Sequence, residues 1–354
     1  MSHSESKSHA HQDPEEQEDG SAFADFVDIV QRPRRNRRTA GIRSMVRETS
    51  LRPDDFIWPL FLIDGESKRV PISAMPGCFR LSMDEILKEA RHALSLGIPA
   101  IALFPALPDS IKDSEATESM NPEGLLPRCV RELKEKLPNL VVITDVAMDP
   151  YSSDGHDGLV SEGRILNDET LEILANMALT QAEAGADIVA PSDMMDGRVG
   201  YLRQALDESG FTDTGILAYS AKYASAFYGP FREALDSAPR FGDKKTYQMD
   251  PANAREAIRE IRLDIEEGAD MVMVKPALPY LDIIHRVKAE SNVPVAAYHV
   301  SGEFAMIAAA AERGWIDRVK AMVEAHVAIR RAGADVILTY SAVEMARLLQ
   351  EGKI

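Results

Sequence analysis

Residues Ala269–Asp282 read ADMVMVKPALPYLD. The apolar run from Met271 to Val274 has none of the polar alternation of a half-solvated sheet, so it reads as a strand buried on both faces. It ends on Lys275, followed at once by Pro276. Lysine is among the residues least often buried, so a core strand ending on one sets an amine at the rim of an apolar interior.

Seven further runs of the same kind flank it: Pro59–Asp64, Pro99–Leu107, Leu140–Asp149, Ala186–Asp193, Gly215–Tyr223, Pro294–Gly302 and Asp335–Ala342. Helix-like segments separate them. DEILKEARHALSLG puts Ile86, Ala90, Ala93 and Leu94 on one stripe, with Gly97 as its C-cap. DETLEILANMALTQAEAGA opens on Asp168 as N-cap and closes near Gly185, and DPANAREAIREIRLDIEEGA places Pro251 in its first turn. Strands alternating with helices, without a strong hairpin signal, pair in parallel, and eight is the number at which such a sheet closes. The predicted fold is an α/β (β/α)8 TIM barrel. A doubly wound open sheet is the alternative, but no GxGxxG follows the first strand. Glu66–Phe79 and DSIKDSEATESMNPEG are expected to be excursions at the barrel mouth. No repeat beyond the strand–helix alternation is evident.

The 354 residues suit one barrel and an appendage. Three segments are expected: a disordered acidic tail over 1–20, an N-terminal arm over 21–50 and the barrel over 51–354. His3, His9 and His11 belong to that solvated tail, and QRPRRNRRTAGIRSMVRE forms a basic stretch suited to packing on a neighbouring subunit. A net charge of −17 argues against nucleic acid, and no apolar run is long enough to span a membrane. The two cysteines, Cys78 and Cys129, form neither a disulfide framework nor a metal motif. A cytoplasmic location is expected.

Chemistry in such barrels gathers at the carboxyl ends of the strands. Those ends carry Asp145 and Asp149, Ser192 and Asp193, Ser220 and Lys222, Lys275, Ser301, and Tyr340. Two lysines on neighbouring strand ends are the informative pair. Burial and a second ammonium both favour the neutral amine, which attacks a ketone to form an imine. The segment KYASAFYGPFREALDSAPRFGDKKTYQMD follows the fifth strand. Its Phe227, Tyr228 and Phe231, with Arg232, Lys244 and Lys245, suit a lid that binds a carboxylate and excludes water. In DVAMDPYSSDGHDG, Asp145, Asp149, Asp154 and Asp157 offer oxygen ligands suited to magnesium rather than zinc. A plain Asp-rich turn explains that loop equally well.

MVMVKPALPYLDI, SAKYASAFYGPFREA, TYQMDPAN, APSDMMDGRV and YHVSGEFAM together resemble the porphobilinogen synthase (5-aminolevulinate dehydratase) family from about Arg34 to the C-terminus. The resemblance implies a (β/α)8 barrel with an extended arm, assembled as a homo-octamer of dimers. It implies condensation of two 5-aminolevulinate molecules to porphobilinogen with loss of two waters, a step of haem and chlorophyll synthesis. It makes Lys275 the Schiff-base residue for the first substrate and Lys222 the lysine of the second. Arg232 and Lys244 (with Lys245 beside it) become carboxylate-holding lid cations. Gln248 is a lid residue, Ser301 and Tyr340 hold the other carboxylate, and Asp145 and Ser192 surround the first substrate's amino end. Zinc-dependent members have cysteines where this chain has Ala147, Asp149 and Asp157. The departure implies no zinc, Asp149 and Asp157 as candidate magnesium ligands, and an allosteric magnesium on Glu260 with Asp196 reached through water. Two other readings stay open: a Schiff-base aldolase or lyase with one essential lysine, and a barrel that only binds a small carboxylate.

Overall fold

The structure, a computed structural model, describes residues 30–235 and 239–354. The expected acidic tail, with His3, His9 and His11, lies outside the described residues. The chain divides into two compact units, Met1–Glu48 and Thr49–Ile354. The described part of the first holds a 3-10 turn, Pro33–Arg37, and a short helix, Ala40–Met45. Thr39 caps that helix by accepting a hydrogen bond from the Ile42 amide at 3.2 Å.

All eight expected strands form within the second unit: Phe56–Leu62, Ala100–Pro105, Val141–Val146, Ile188–Pro191, Gly215–Lys222, Met271–Lys275, Val295–His299 and Val336–Thr339. Each pairs in parallel with the next, and the first closes on the eighth through Phe56↔Ile337 and Ile57↔Leu338. Helices separate the strands, as the 3.6-residue stripes require. On Met83–Ser95, Ile86, Ala90 and Ala93 are fully buried and Leu94 partly so. Gly97 leaves that helix at φ +84°, a conformation open to glycine at little cost.

Three expectations change. Asp168 lies inside the helix Asn167–Glu183, whose N-cap is Leu166. Pro251 precedes its helix, which begins at Arg255. The excursion after the first strand is an antiparallel ribbon, Arg69–Pro71 with Phe79–Leu81, and a second ribbon joins Leu159–Ser161 to Arg164–Leu166. Strands of three residues are too short to show alternation.

A recurrent device also fixes the barrel's lower rim. Gly-Ala-Asp opens the fourth, sixth and eighth strands at Asp187, Asp270 and Asp335. In each case the Asp amide donates to the carbonyl of one residue on the preceding strand, while its carboxylate accepts that residue's amide. The partners are Val142 (3.0 and 2.7 Å), Ile216 (3.0 and 2.7 Å) and Val295 (2.7 and 2.8 Å). This two-point clasp sets strand register where the ladder begins. Asp270→Ala should lower stability by about 1–3 kcal/mol, the scale of a hydrogen bond to a charged group. The denaturant midpoint checks it, and an unchanged midpoint would leave the clasp without energetic weight.

Candidate active site

Lys222 and Lys275 are direct register partners on the fifth and sixth strands, so both side chains leave the same rim from backbone positions about one strand spacing apart, ~4.8 Å. Between Val272 and Val274 the register shifts: Tyr219 and Ser220 together stand opposite Met273. Such a bulge re-aims side chains. It brings Tyr219 to the same site as Lys222, although strict alternation would put residues three apart on opposite faces.

The two amines have different surroundings. Lys275 Nζ lies among four rings, Tyr298 at 4.7 Å, Tyr219 at 5.0 Å, and Tyr228 and Phe231 at 5.2 Å each. Among the described residues it makes no hydrogen bond or ion pair. Burial, followed by repulsion from Lys222, lowers its pKa to about 7, against the pull of Asp145, Asp149 and Asp157. Lys222 instead donates to the Ser192 carbonyl and lies 3.6 Å from Asp157.

The expected carboxylates converge here. Asp145 is buried, its Oδ1 unpartnered among the described residues. Burial and the charge of Asp149 push it up to about 7. Lys244 reaches in from the lid and bridges Asp149 at 3.2 Å and Asp157 at 3.1 Å. Burial acts to raise Asp157, but Lys222 and Lys244 outweigh it and hold that carboxyl well below its ordinary range. Two carboxylates thus face two lysine nitrogens. That arrangement does not fit magnesium on Asp149 and Asp157, since the oxygens a cation would need already face lysine nitrogens. Among the described residues no group of three or more His, Cys, Asp and Glu side chains is arranged to hold a metal.

The remaining expected residues sit at the same mouth or just outside it. Ser301, just beyond the seventh strand, accepts the Phe231 amide at 3.0 Å and donates to the Phe227 carbonyl at 3.4 Å. Tyr340 shares a hydrogen bond with Tyr298 at 2.9 Å. Gln248 is buried with its Oε1 unpartnered among the described residues, and Arg232 is half-buried on the lid helix Gly229–Leu235, while Lys245 points to solvent. Glu260 lies apart. It is half-buried and lines a polar cleft of about 290 Å³ with Asp196, Asp250 and Glu256. Burial, then Asp264, raises its pKa, so its carboxylate fits a hydrated divalent cation that would offset this repulsion.

Sequence reasoning missed Tyr219, Tyr298 and His156. The tyrosines sat within apolar runs and looked like core. His156 accepts from the Tyr247 hydroxyl at 3.1 Å and donates to the Phe241 carbonyl at 3.0 Å, fastening the lid to the third-strand loop. Nothing in the loop's sequence signals that link, because Phe241 and Tyr247 lie more than eighty residues further along the chain.

A closed (β/α)8 barrel with paired lysines and a caged amine at its carboxyl mouth defines a class of enzyme that works on carbonyl compounds. Residues 30–348 match the family model described as Delta-aminolevulinic acid dehydratase. The chain is 56% identical over 333 residues to the Delta-aminolevulinic acid dehydratase of Bradyrhizobium diazoefficiens, covering 94% of each. It is 58% identical over 320 residues to the chloroplastic Delta-aminolevulinic acid dehydratase of Physcomitrium patens, covering 90% of this chain and 74% of that protein. The crystal structure of the Toxoplasma gondii delta-aminolevulinic acid dehydratase (porphobilinogen synthase), in complex with its reaction product porphobilinogen, superposes with a TM-score of 0.90. It has 54% identity and covers 92% of this chain and 93% of that one. The chain therefore belongs to the delta-aminolevulinic acid dehydratase family.

The amine's environment sets a pH profile. The neutral form captures a ketone, so trapping of a small keto acid by borohydride should rise with pH through about 7. Lys222→Met removes the neighbouring positive charge and should move that limb to higher pH. A limb that stays in place would show that burial alone sets it.

Proposed function

We propose that this chain condenses two molecules of 5-aminolevulinate to porphobilinogen, with release of two waters, in tetrapyrrole biosynthesis, and that Lys275 and Lys222 each capture one of them. The observation that carries this reading is the register pairing of the two lysines, with one amine stripped of polar partners. Neutral Lys275 attacks the ketone of the first molecule, and loss of water gives an imine that acidifies the neighbouring carbon. Lys222 anchors the second molecule beside it, so the carbon–carbon and carbon–nitrogen bonds form between neighbours on one surface. Asp145, shifted to about 7, has a pKa matched to moving a proton at neutral pH, and with Ser192 it faces the first substrate's amino end.

The substrate carboxylates are assigned to two groups. Ser301 and Tyr340 take the first, and Arg232, Lys244 and Gln248 of the lid take the second. Lys244 then leaves Asp149 and Asp157 as that substrate enters. Glu260 is assigned to an allosteric magnesium, with Asp196 reached through water. When bound, that cation supplies positive charge to a crowded acidic cleft. The helix Arg255–Glu266 that presents Glu260 is fixed by Asp264, which receives both ends of the buried Arg198 guanidinium at 2.9 and 3.2 Å. The assembly is proposed to be a homo-octamer of dimers joined through the basic N-terminal arm, located in the cytoplasm. The exposed arginines of Pro33–Arg37 in an otherwise acidic chain support the arm's role. Among the described residues no helix is long and apolar enough to cross a membrane.

Borohydride reduction with 5-aminolevulinate should leave a covalent adduct on Lys275. Lys275→Ala should lose more than about 10⁴-fold in turnover, the scale of losing a nucleophile. Adduct found elsewhere, or substantial turnover in the variant, would overturn the assignment. Glu260→Ala should abolish both calorimetric magnesium binding in the cleft and the magnesium-dependent increment of activity. Persistence of both would place the ion on other groups.

A further inference from the structure

Glu303 is fully buried, and among the described residues no cation pairs with it. Its carboxylate is held by main chain alone. It accepts the Val300 amide at 2.6 Å, the Leu278 amide at 2.5 Å and the Ala277 amide at 3.4 Å. Ala277 and Leu278 belong to the segment that leaves Lys275, and Val300 directly precedes Ser301. One side chain thereby stitches together the exits of the sixth and seventh strands.

The two residues before it receive the lid. Ser301 bonds the Phe227 carbonyl and the Phe231 amide. Gly302 lies so close to Phe227 that a Cβ there would stand 2.5 Å from its carbonyl oxygen and 2.7 Å from its Cα. Both contacts are with backbone, so nothing flexible is available to give way. The lid's next residues reach Lys275: Tyr228 and Phe231 supply two of the four rings around the amine, and the Tyr228 hydroxyl donates to the Lys275 carbonyl at 3.1 Å.

We propose that Glu303 is a positioning residue for the Lys275 amine: by tying the Lys275 segment to the seat of the lid, it keeps the lid's two rings over that amine and water away from it. The role rests on the reading of Lys275 as the imine-forming residue. A carboxylate suits the task because it accepts all three amides at once, whereas a carboxamide of the same size has one oxygen and would turn an N–H toward a backbone N–H. Burial pushes the Glu303 carboxyl up to about 7 against the pull of those three hydrogen bonds. The titratable groups that face Glu303 are Tyr228 and Tyr280, and those that face Lys275 are Lys222, Asp145, Asp149 and Asp157 together with the surrounding tyrosines.

The test is borohydride trapping of 5-aminolevulinate on Lys275 across about pH 5–9, in the full-length protein and in Glu303→Gln and Gly302→Ala. Unfolding midpoints are measured alongside. In both variants the rising limb should move up by about one pH unit or more, with capture near neutrality about tenfold slower, because water reaching the amine favours its charged form. A purely structural role would lower the midpoint and leave the limb where it is. A wild-type limb in folded Glu303→Gln overturns the proposal. Should that variant fail to fold, Glu303→Asp, which keeps the charge but is one methylene shorter, is read in the same way. Absence of wild-type trapping at Lys275 would instead remove the parent reading.

Discussion

Burying an amine without a counter-ion is the constraint around which this barrel is arranged. An isolated ammonium in an apolar interior is so costly that the group gives up its proton instead. The four rings about Lys275 create that condition, and they come from different places: Tyr219 and Tyr298 from the barrel, Tyr228 and Phe231 from the lid. The apolar surround of Lys275 is therefore assembled from two separate parts of the chain, strands held by their pairing and the segment that follows the fifth strand.

A few residues away the opposite condition holds. Asp149, Asp157, Lys222 and Lys244 form an alternating cluster in which each buried charge has a partner. Buried pairs of this kind add little net stability, but losing one member leaves a stranded charge. Within the cluster Lys222 and Lys244 hold Asp157 well below the ordinary carboxylate range, while burial raises Asp149, and at Lys275 burial outweighs the pull of both aspartates. A chain with two lysines in equivalent surroundings would have no means of treating two identical substrate molecules differently. Here the asymmetry is built into the neighbours.

Much of this was legible in the sequence because it depends on pattern. Eight apolar runs, their order and the polar residues ending them follow from periodicity and from where burial stops, and all eight strands formed. Motifs long enough to be specific brought the family into view as well. What stayed hidden depends on geometry between distant segments. The bulge opposite Met273 leaves no local signature, so Tyr219 looked like core. The Asp clasps require knowing which strands are neighbours. Lys244 reads as a free lid cation until the third-strand loop is folded against it, and Glu303 reads as an ordinary first-turn glutamate of a helix until the segment after Lys275 comes within reach of its carboxylate.

Three of the polar groups assigned to substrate are committed to protein partners. Ser301 holds lid backbone, Tyr340 holds Tyr298, and Lys244 holds two aspartates. At these three groups, on the proposed function, binding is an exchange of partners rather than the filling of bare donors. An exchange is energetically gentler, since a substrate carboxylate replaces an aspartate on Lys244 and no buried charge is left alone if the freed carboxylates receive the substrate's ammonium. Asp149 and Asp157 would then change from partners of a lysine to partners of an amino group. Lys275 differs from these groups, since among the described residues its amine has no hydrogen-bonded or ion-paired partner to give up.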